Sequence, residues 1–242
     1  MPNKRILILG GTSDAIILAK ELLKAGHSVV TSFAGVTENP VLPEGEIRVG
    51  GFGGEEGLYE YLKAESIGAV ADATHPFAAQ ISRHGFSAAA RAEIPYLRLE
   101  RAAWTPLPAD NWMNVPDIAS AAAALPNAAR VMLTIGRKEI ASFVERQDLS
   151  GVARMIEKPV LELPRSWELL LARPPFSVDA ERNLMLTHKI THVVTKNAGG
   201  KLTVAKLIAA RALRIPVIMV ARPQKPEAPT FGSAFALAAA LT

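Results

Sequence analysis

The chain contains no cysteine. That absence removes a disulfide framework, a thiolate metal centre and a cysteine nucleophile at once. An apolar run of the roughly 18 residues needed for a membrane span is also missing. A buried-strand pattern already starts at Lys4, which leaves no room for a signal peptide, so a cytoplasmic location is expected. No helix-turn-helix, zinc-finger or RNP signature accompanies the basic residues, and nucleic acid is not expected as a partner. His188 and His192 have the i,i+4 spacing of zinc ligands, but no acidic partner falls between them and a helix–strand break separates them. No metal is expected.

What is present is the composition of a globular protein: 242 residues, 49% hydrophobic and 21% charged. That length suits one large domain or two of roughly 100–150 residues. The net charge of +4 is unevenly placed. Residues 1–104 hold 10 Lys/Arg against 12 Asp/Glu, whereas residues 105–242 hold 17 against 11. A basic half beside a near-neutral half suits an anionic small molecule or a phosphate-bearing cofactor.

Strand-like and helix-like segments alternate through both halves, the rhythm of parallel sheets with crossover helices. In the first half, strands are expected at 4–9, 28–33, 46–49, 69–73 and 96–99, with helices at 14–25, 55–66 and 77–92. The stretch 105–116, rich in Pro, Asp and Asn, reads as a link. Beyond it, helices are expected near 117–125, 138–146, 178–187, 202–213 and 233–241. Strands are expected at 131–135, 192–195 and 217–220, with 155–163 extended and 222–229 exposed. The expected architecture is α/β: two Rossmann-like parallel-sheet domains, 1–104 and 105–242, with a ligand cleft between them.

Four strand ends carry chemistry. Gly10-Gly11-Thr12-Ser13-Asp14 sits between a strand and a helix, where free N–H groups and the helix dipole favour a phosphate. It is either such a site or a structural turn capped by Ser13 or Asp14. The second strand ends in Ser32-Phe33-Ala34-Gly35 with no acid before Glu38. A carboxylate that would hold an NAD ribose is therefore absent, which favours NADP. Asp72-Ala73-Thr74-His75-Pro76-Phe77 crowds an acid, a hydroxyl and an imidazole at a third strand end. An unperturbed imidazole can donate or accept a proton near neutral pH, but for His75 a binding or positioning role is expected. Lys196-Asn197-Ala198-Gly199-Gly200-Lys201 places two lysines and two glycines at another strand–helix junction, again suited to an anion. Thr134-Ile135-Gly136-Arg137 reads equally as a site or as surface. Gly50–Gly54 allows either close backbone approach to a ligand or tight turns.

Taken together, these segments resemble the precorrin-6A (cobalt-precorrin-6A) reductase family over nearly the whole chain. The resemblance rests on Gly10-Gly11-Thr12, Ser32–Gly35, Arg48 with Gly50–Gly54, Asp72–Ala78, Arg98-Leu99-Glu100-Arg101 with Trp104, Lys196–Gly200, and Ile215–Val220 with Arg222-Pro223. Departures are Val36 in place of an expected Arg, Arg173-Pro174-Pro175-Phe176 in place of Gly-Pro-Phe, and Ala198 in place of Ser. The resemblance implies hydride transfer from NADPH to a C=C bond of the precorrin-6A macrocycle, giving precorrin-6B in cobalamin biosynthesis. It also implies a substrate bearing many carboxylates, which Arg137, Lys196, Lys201 and Arg222 would complement.

The candidate cofactor contacts are then Gly10 to Asp14, including Gly11, Thr12 and Ser13; Ser32, Ala34 and Gly35; Asp72 and Thr74; Thr134, Gly136 and Arg137; and Lys196, Asn197, Gly199 and Gly200. Candidate substrate contacts are His75, Pro76, Phe77, Arg98, Lys201 and Arg222. The residues leave open which glycine turn takes the pyrophosphate. Two rival functions remain: an NADP-linked reductase of another anionic conjugated substrate, and a non-catalytic NADP-sensing protein.

Overall fold

The computed structural model describes residues 4–35 and 42–242. Val36 and Glu38, which bear on cofactor choice in the sequence, lie outside the described residues. The chain divides into two compact units. One holds the chain up to Ala102 together with Pro223–Thr242, and the other holds Ala103–Arg222. In chain order the first begins with β1 (Arg5–Leu9), α1 (Ser13–Lys24), β2 (Ser28–Phe33), β3 (Glu46–Val49), α2 (Gly54–Ala64), β4 (Ala69–Asp72), α3 (Ala79–Arg91) and β5 (Tyr96–Leu99). The second unit runs β6 (Trp112–Val115), α4 (Ile118–Ala123), β7 (Arg130–Thr134), α5 (Ala141–Val144), β8 (Ser150–Met155), β9 (Trp167–Leu171), α6 (Val178–Thr187), β10 (His192–Lys196), α7 (Ala205–Ala212) and β11 (Val217–Val220). The chain then returns β12 (Thr230–Phe231) and α8 (Ala234–Leu241) to the first unit.

Each unit is built on a six-stranded sheet, ordered β12-β5-β4-β1-β2-β3 in the first and β6-β11-β10-β7-β8-β9 in the second. The described strands pair in parallel. A parallel sheet is covered on both faces, so its central strands are apolar at every position rather than alternately. β1 shows this directly. Ile6 and Ile8 pack on one face with Leu18 and Leu22 of α1 and Leu237 and Leu241 of α8, while Leu7 and Leu9 pack on the other with Leu58 and Leu62 of α2 and Ala88 of α3. Each such fully buried Leu or Ile contributes roughly 1.5–3 kcal/mol. In the second unit, Met132 of β7, Val193 of β10 and Met219 of β11 pack with Met185 of α6 and Leu207 of α7. Among the described residues no helix is long and apolar enough to cross a membrane.

Several sequence expectations shift. The stretch 105–116, read as a link, contains β6, which pairs with β11. Its Pro- and Asp-rich flanks masked a four-residue strand. β9 had no counterpart in the sequence reading, and β8 begins at Ser150 and ends where the extended stretch was expected to start. The helix expected over 138–146 shrinks to the single turn of α5. The largest correction concerns the C-terminus, expected with the second half. Residues 223–242 belong to the first unit, where β12 pairs with β5 and α8 packs on α1. A two-residue strand has too little sequence to announce its partner.

Candidate active site

In an open α/β sheet, ligands bind beyond the carboxyl ends of the strands where strand order reverses. In the first unit the chain leaves β1 toward β2 and returns on its other side at β4, so the reversal lies between β1 and β4. Two of the expected loops meet there. Thr12 Oγ1 donates to the Ala73 carbonyl at 2.7 Å and accepts from Ala15 N–H at 3.1 Å, which makes Thr12, not Ser13 or Asp14, the N-cap of α1. The first N–H groups of a helix have no partner within the helix. Thr12 takes that of Ala15, and those of Ser13 and Asp14 head the same turn. The two glycines are required for different reasons. A Cβ on Gly10 would stand 2.8 Å from Thr31 Cγ2, whereas Gly11 has a φ of +104° and open space around it. Asp14 is ion-paired to Arg101 at 2.7 Å, a cation absent from the sequence-derived site.

Asp72 and Thr74, expected as cofactor contacts, are turned into the protein instead. Asp72 is 1% exposed. Its Oδ1 accepts from Thr74 N–H at 3.1 Å and Thr74 Oγ1 at 2.6 Å, and its Oδ2 accepts from Tyr96 Oη at 2.6 Å. Burial first, and then the Asp72 carboxylate, push the Tyr96 hydroxyl well above its ordinary value, so it remains a donor. Arg98, expected at the substrate, is 7% exposed. It stands 3.7 Å from Asp72 and donates to the Pro226 carbonyl at 2.9 Å, tying β5 to the returning C-terminal segment. The side chains of Asp72, Thr74 and Arg98 therefore brace the strand end. Pro76 is buried too, while His75 and Phe77 are half-buried. His75 Nδ1 accepts from Phe77 N–H at 3.2 Å, so in the neutral ring the proton sits on Nε2.

At the tip of β2, Ser32 is buried and its carbonyl accepts from Gly10 N–H at 2.9 Å, while Ala34 and Gly35 are exposed. No carboxylate lies on this described tip. Arg48, opposite Ser32 in register, donates to the carbonyls of Gly50 and Gly51 and lies 3.9 Å over the Phe52 ring. The glycine-rich stretch is thus clamped by Arg48, and Gly53 and Gly54 take φ values of +82° and +95° to start α2.

The second unit repeats the plan, with its reversal between β7 and β10. Gly136 and Lys196, one from each strand end, meet at Glu139. Its Oε2 accepts from Gly136 N–H at 3.1 Å and pairs with Lys196 Nζ at 2.5 Å. Arg137 pairs with Glu157 at 2.7 Å, and Thr134 Oγ1 donates to the Val194 carbonyl at 3.2 Å. Glu139 was not among the sequence candidates, although a carboxylate three residues after a glycine turn is a recognisable capping signal. Asn197 is engaged by Trp104: its Oδ1 accepts from Trp104 N–H at 2.8 Å and its Nδ2 donates to Trp104 O at 3.0 Å. Arg222 donates to the carbonyls of Asn197 (2.8 Å) and Ala198 (3.2 Å). Gly199 and Gly200 take φ values of +68° and +83°, and Lys201 is exposed at the end of the turn.

Comparison with known proteins gives one consistent result. The family described as Precorrin-6x reductase CbiJ/CobK matches residues 5–241. A precorrin-6A reductase of Rhodococcus erythropolis is 48% identical over 226 residues, covering 93% of this chain and 91% of that protein. A precorrin-6A reductase of Rhodobacter capsulatus is 45% identical over 224 residues, covering 92% and 89%. A solved structure of CobK precorrin-6A reductase superposes with a TM-score of 0.92 at 42% identity, covering 98% of this chain and 96% of that one.

Proposed function

The chain belongs to the precorrin-6x reductase family, and from that premise we propose that it reduces a C=C bond of the precorrin-6A macrocycle with NADPH, giving precorrin-6B in corrin-ring biosynthesis. The observation that carries this reading is the 48% identity to a precorrin-6A reductase over 93% of the chain, together with a family match over residues 5–241 that takes in both units and every strand end described above. The cofactor supplies a hydride to one carbon of the macrocycle, and the neighbouring carbon gains a proton.

The residues fit a dinucleotide. Gly10 is too closely packed for any side chain, Gly11 leaves open space, and the N–H groups that start α1 stand at the strand-order reversal. In this reading Gly10, Gly11, Ser13 and Asp14 hold a phosphate by backbone, with Thr12 fixing the turn. The tip Ser32–Gly35 offers no carboxylate to repel a 2′-phosphate, which supports NADPH over NADH. In the second unit, the turn after β10, with Lys196, Gly199 and Gly200, and the Gly136-Arg137 turn beside it are suited by themselves to an anionic group of cofactor or substrate. His75 in the first unit and Lys201 in the second each offer a donor suited to a carboxylate. Asp72, Thr74, Arg98, Asn197 and Arg222 hold these loops in place from behind.

Anaerobic assay with precorrin-6A, followed at the NADPH absorbance, tests the proposal. NADPH oxidation is expected, with a KM for NADH at least tenfold higher. A folded protein that oxidises neither cofactor overturns the reading, and equal use of both overturns the cofactor assignment. His75 offers a narrower test. Because Nδ1 is taken by Phe77 N–H, His75 presents only Nε2–H, a donor to a carboxylate. His75→Asn is expected to raise the KM for precorrin-6A about fivefold, one hydrogen bond's worth, with the pH profile of kcat unchanged. Loss of kcat together with a limb of that profile near neutral pH would make His75 the proton donor instead.

A further inference from the structure

The turn after β10 is held by two side chains from outside it, Trp104 and Arg222. Trp104 lies 93 positions earlier in the chain than Asn197, outside any strand or helix, yet three hydrogen bonds join it to that turn. Two are the reciprocal pair between its backbone and the Asn197 side chain, and the third runs from its indole Nε1–H to the Gly200 carbonyl at 2.9 Å. The ring is backed by Lys206, 4% exposed, whose Nζ lies 4.9 Å from the ring centroid and donates to the Thr203 carbonyl at 2.8 Å. Arg222 takes the carbonyls of Asn197 and Ala198.

These contacts fall on carbonyl groups. In a planar trans peptide the C=O and the following N–H point in opposite directions. Anchoring the Ala198 carbonyl on Arg222 turns Gly199 N–H away from that guanidinium. Anchoring the Gly200 carbonyl on the indole turns Lys201 N–H away from the ring. Gly199 and Gly200 can accept the left-handed backbone this demands because they carry no Cβ. Successive backbone N–H groups in such a turn form an anion-binding concavity.

We propose that Trp104 and Arg222 are positioning residues that set the anion-binding face of the 197–201 turn, fixing its carbonyls so that the amides of Gly199 and Lys201 are directed to a phosphate or carboxylate. The assignment rests on the reductase reading only for the identity of that anion. It moves Arg222 from contact with substrate to support of the loop, and it gives Trp104 a task beyond packing. Trp104→Phe keeps an aromatic ring over Lys206 and removes a single donor, so it isolates the Gly200 bond. Arg222→Lys keeps the charge and loses the paired grip on two carbonyls.

The test uses the whole ¹⁵N-labelled protein titrated with NADPH, precorrin-6A and inorganic pyrophosphate, alongside steady-state kinetics. In the wild type, the Gly199 and Lys201 amide resonances are expected to shift with at least one of the three. In Trp104→Phe the dissociation constant for that ligand is expected to rise about fivefold, with the matching KM rising equally and kcat within twofold. Arg222→Lys should move the same constants in the same direction. The split between KM and kcat, at unchanged melting temperature, is what a merely structural role would not produce. Amides that respond to none of the three ligands overturn the proposal, as does an unchanged dissociation constant in both variants. If the wild type turns over precorrin-6A normally while that happens, the reductase reading stands and only the loop assignment falls. If the wild type fails to turn over, the pyrophosphate titration still decides the loop assignment.

Discussion

Asp72→Ala is expected to destabilise the first unit by about 3–5 kcal/mol, the range seen when one partner of a buried ion pair is removed. The carboxylate accepts from Thr74 N–H, Thr74 Oγ1 and Tyr96 Oη, all within a pocket that water does not reach. Removing it leaves the Tyr96 hydroxyl with one acceptor, the Ser82 carbonyl at 3.2 Å, and leaves the Arg98 guanidinium buried without its counter-charge. For a protein of this size that corresponds to a fall of roughly 10 °C in melting temperature. Asp72→Asn keeps one acceptor oxygen, enough for Thr74, and sets an amide NH2 opposite Tyr96 Oη, which then accepts there and donates to the Ser82 carbonyl, so the loss should be about half as large. Thermal unfolding followed by circular dichroism checks both. A melting temperature for Asp72→Ala within a degree or two of the wild type would show that the network does not brace the strand end. Because Ala73 accepts from Thr12, loosening this strand end should also be felt at the Gly10–Asp14 turn, as weaker NADPH binding in whatever fraction remains folded.

Lys206→Met is expected to act in the opposite direction and stabilise the second unit. Lys206 lies deep in that unit, and burial is the largest influence on it. Arg154 nearby adds to the effect and Glu181 opposes it, leaving the ammonium with a pKa lowered to about 7. Arg154 and Glu181 form their own buried ion pair at 2.8 Å, with Phe176 over the guanidinium at 3.8 Å. Two cations thus face one carboxylate, and the charges balance only when Lys206 is neutral. With the folded pKa below the unfolded value, the unfolded chain binds more protons between about pH 7 and pH 10. Stability of the wild type therefore rises with pH across that window, by at most about 1.4 kcal/mol per unit, and levels off below it. Methionine never carries the charge. Its advantage should amount to a few kcal/mol near pH 7, less about 1 kcal/mol for the lost bond to the Thr203 carbonyl, and shrink steadily toward pH 10. Chemical denaturation of both proteins at pH 7, 8 and 9.5 measures this. A difference that does not change with pH would show that Lys206 stays charged in the fold.

Much of the architecture was legible in the residues because it depends on near neighbours. Apolar runs such as Ile6–Leu9 and Val131–Leu133 read as central strands of covered sheets, and Gly26 after Leu22–Lys24 ends a helix. The four strand ends with unusual chemistry were picked out correctly as loops at carboxyl ends, since polar and glycine residues between a strand and a helix are a local pattern. Of the four edge strands, only β3, expected and found at Glu46–Val49, was legible. β6, β9 and β12 have four, five and two residues, and their pairing is decided by the neighbour they find rather than by their own composition.

The direction in which each polar side chain points is a different kind of property. Sequence alone placed Asp72, Arg98, Asn197 and Arg222 at the site because acids, amides and guanidinium groups at strand ends and glycine turns are suited to ligands. Tertiary structure turned each of them toward the protein. Asp72 meets Tyr96 across 24 positions, Asn197 meets Trp104 across 93, and Arg98 meets the Pro226 carbonyl across 128. The parallel α/β plan and the loops that carry chemistry follow from local pattern, because periodicity, caps and glycines act over a few residues. Only the folded chain decided which of those polar groups face a ligand and which hold the loop behind it. A buried polar group must find its partner, and these partners come from segments that only folding brings together.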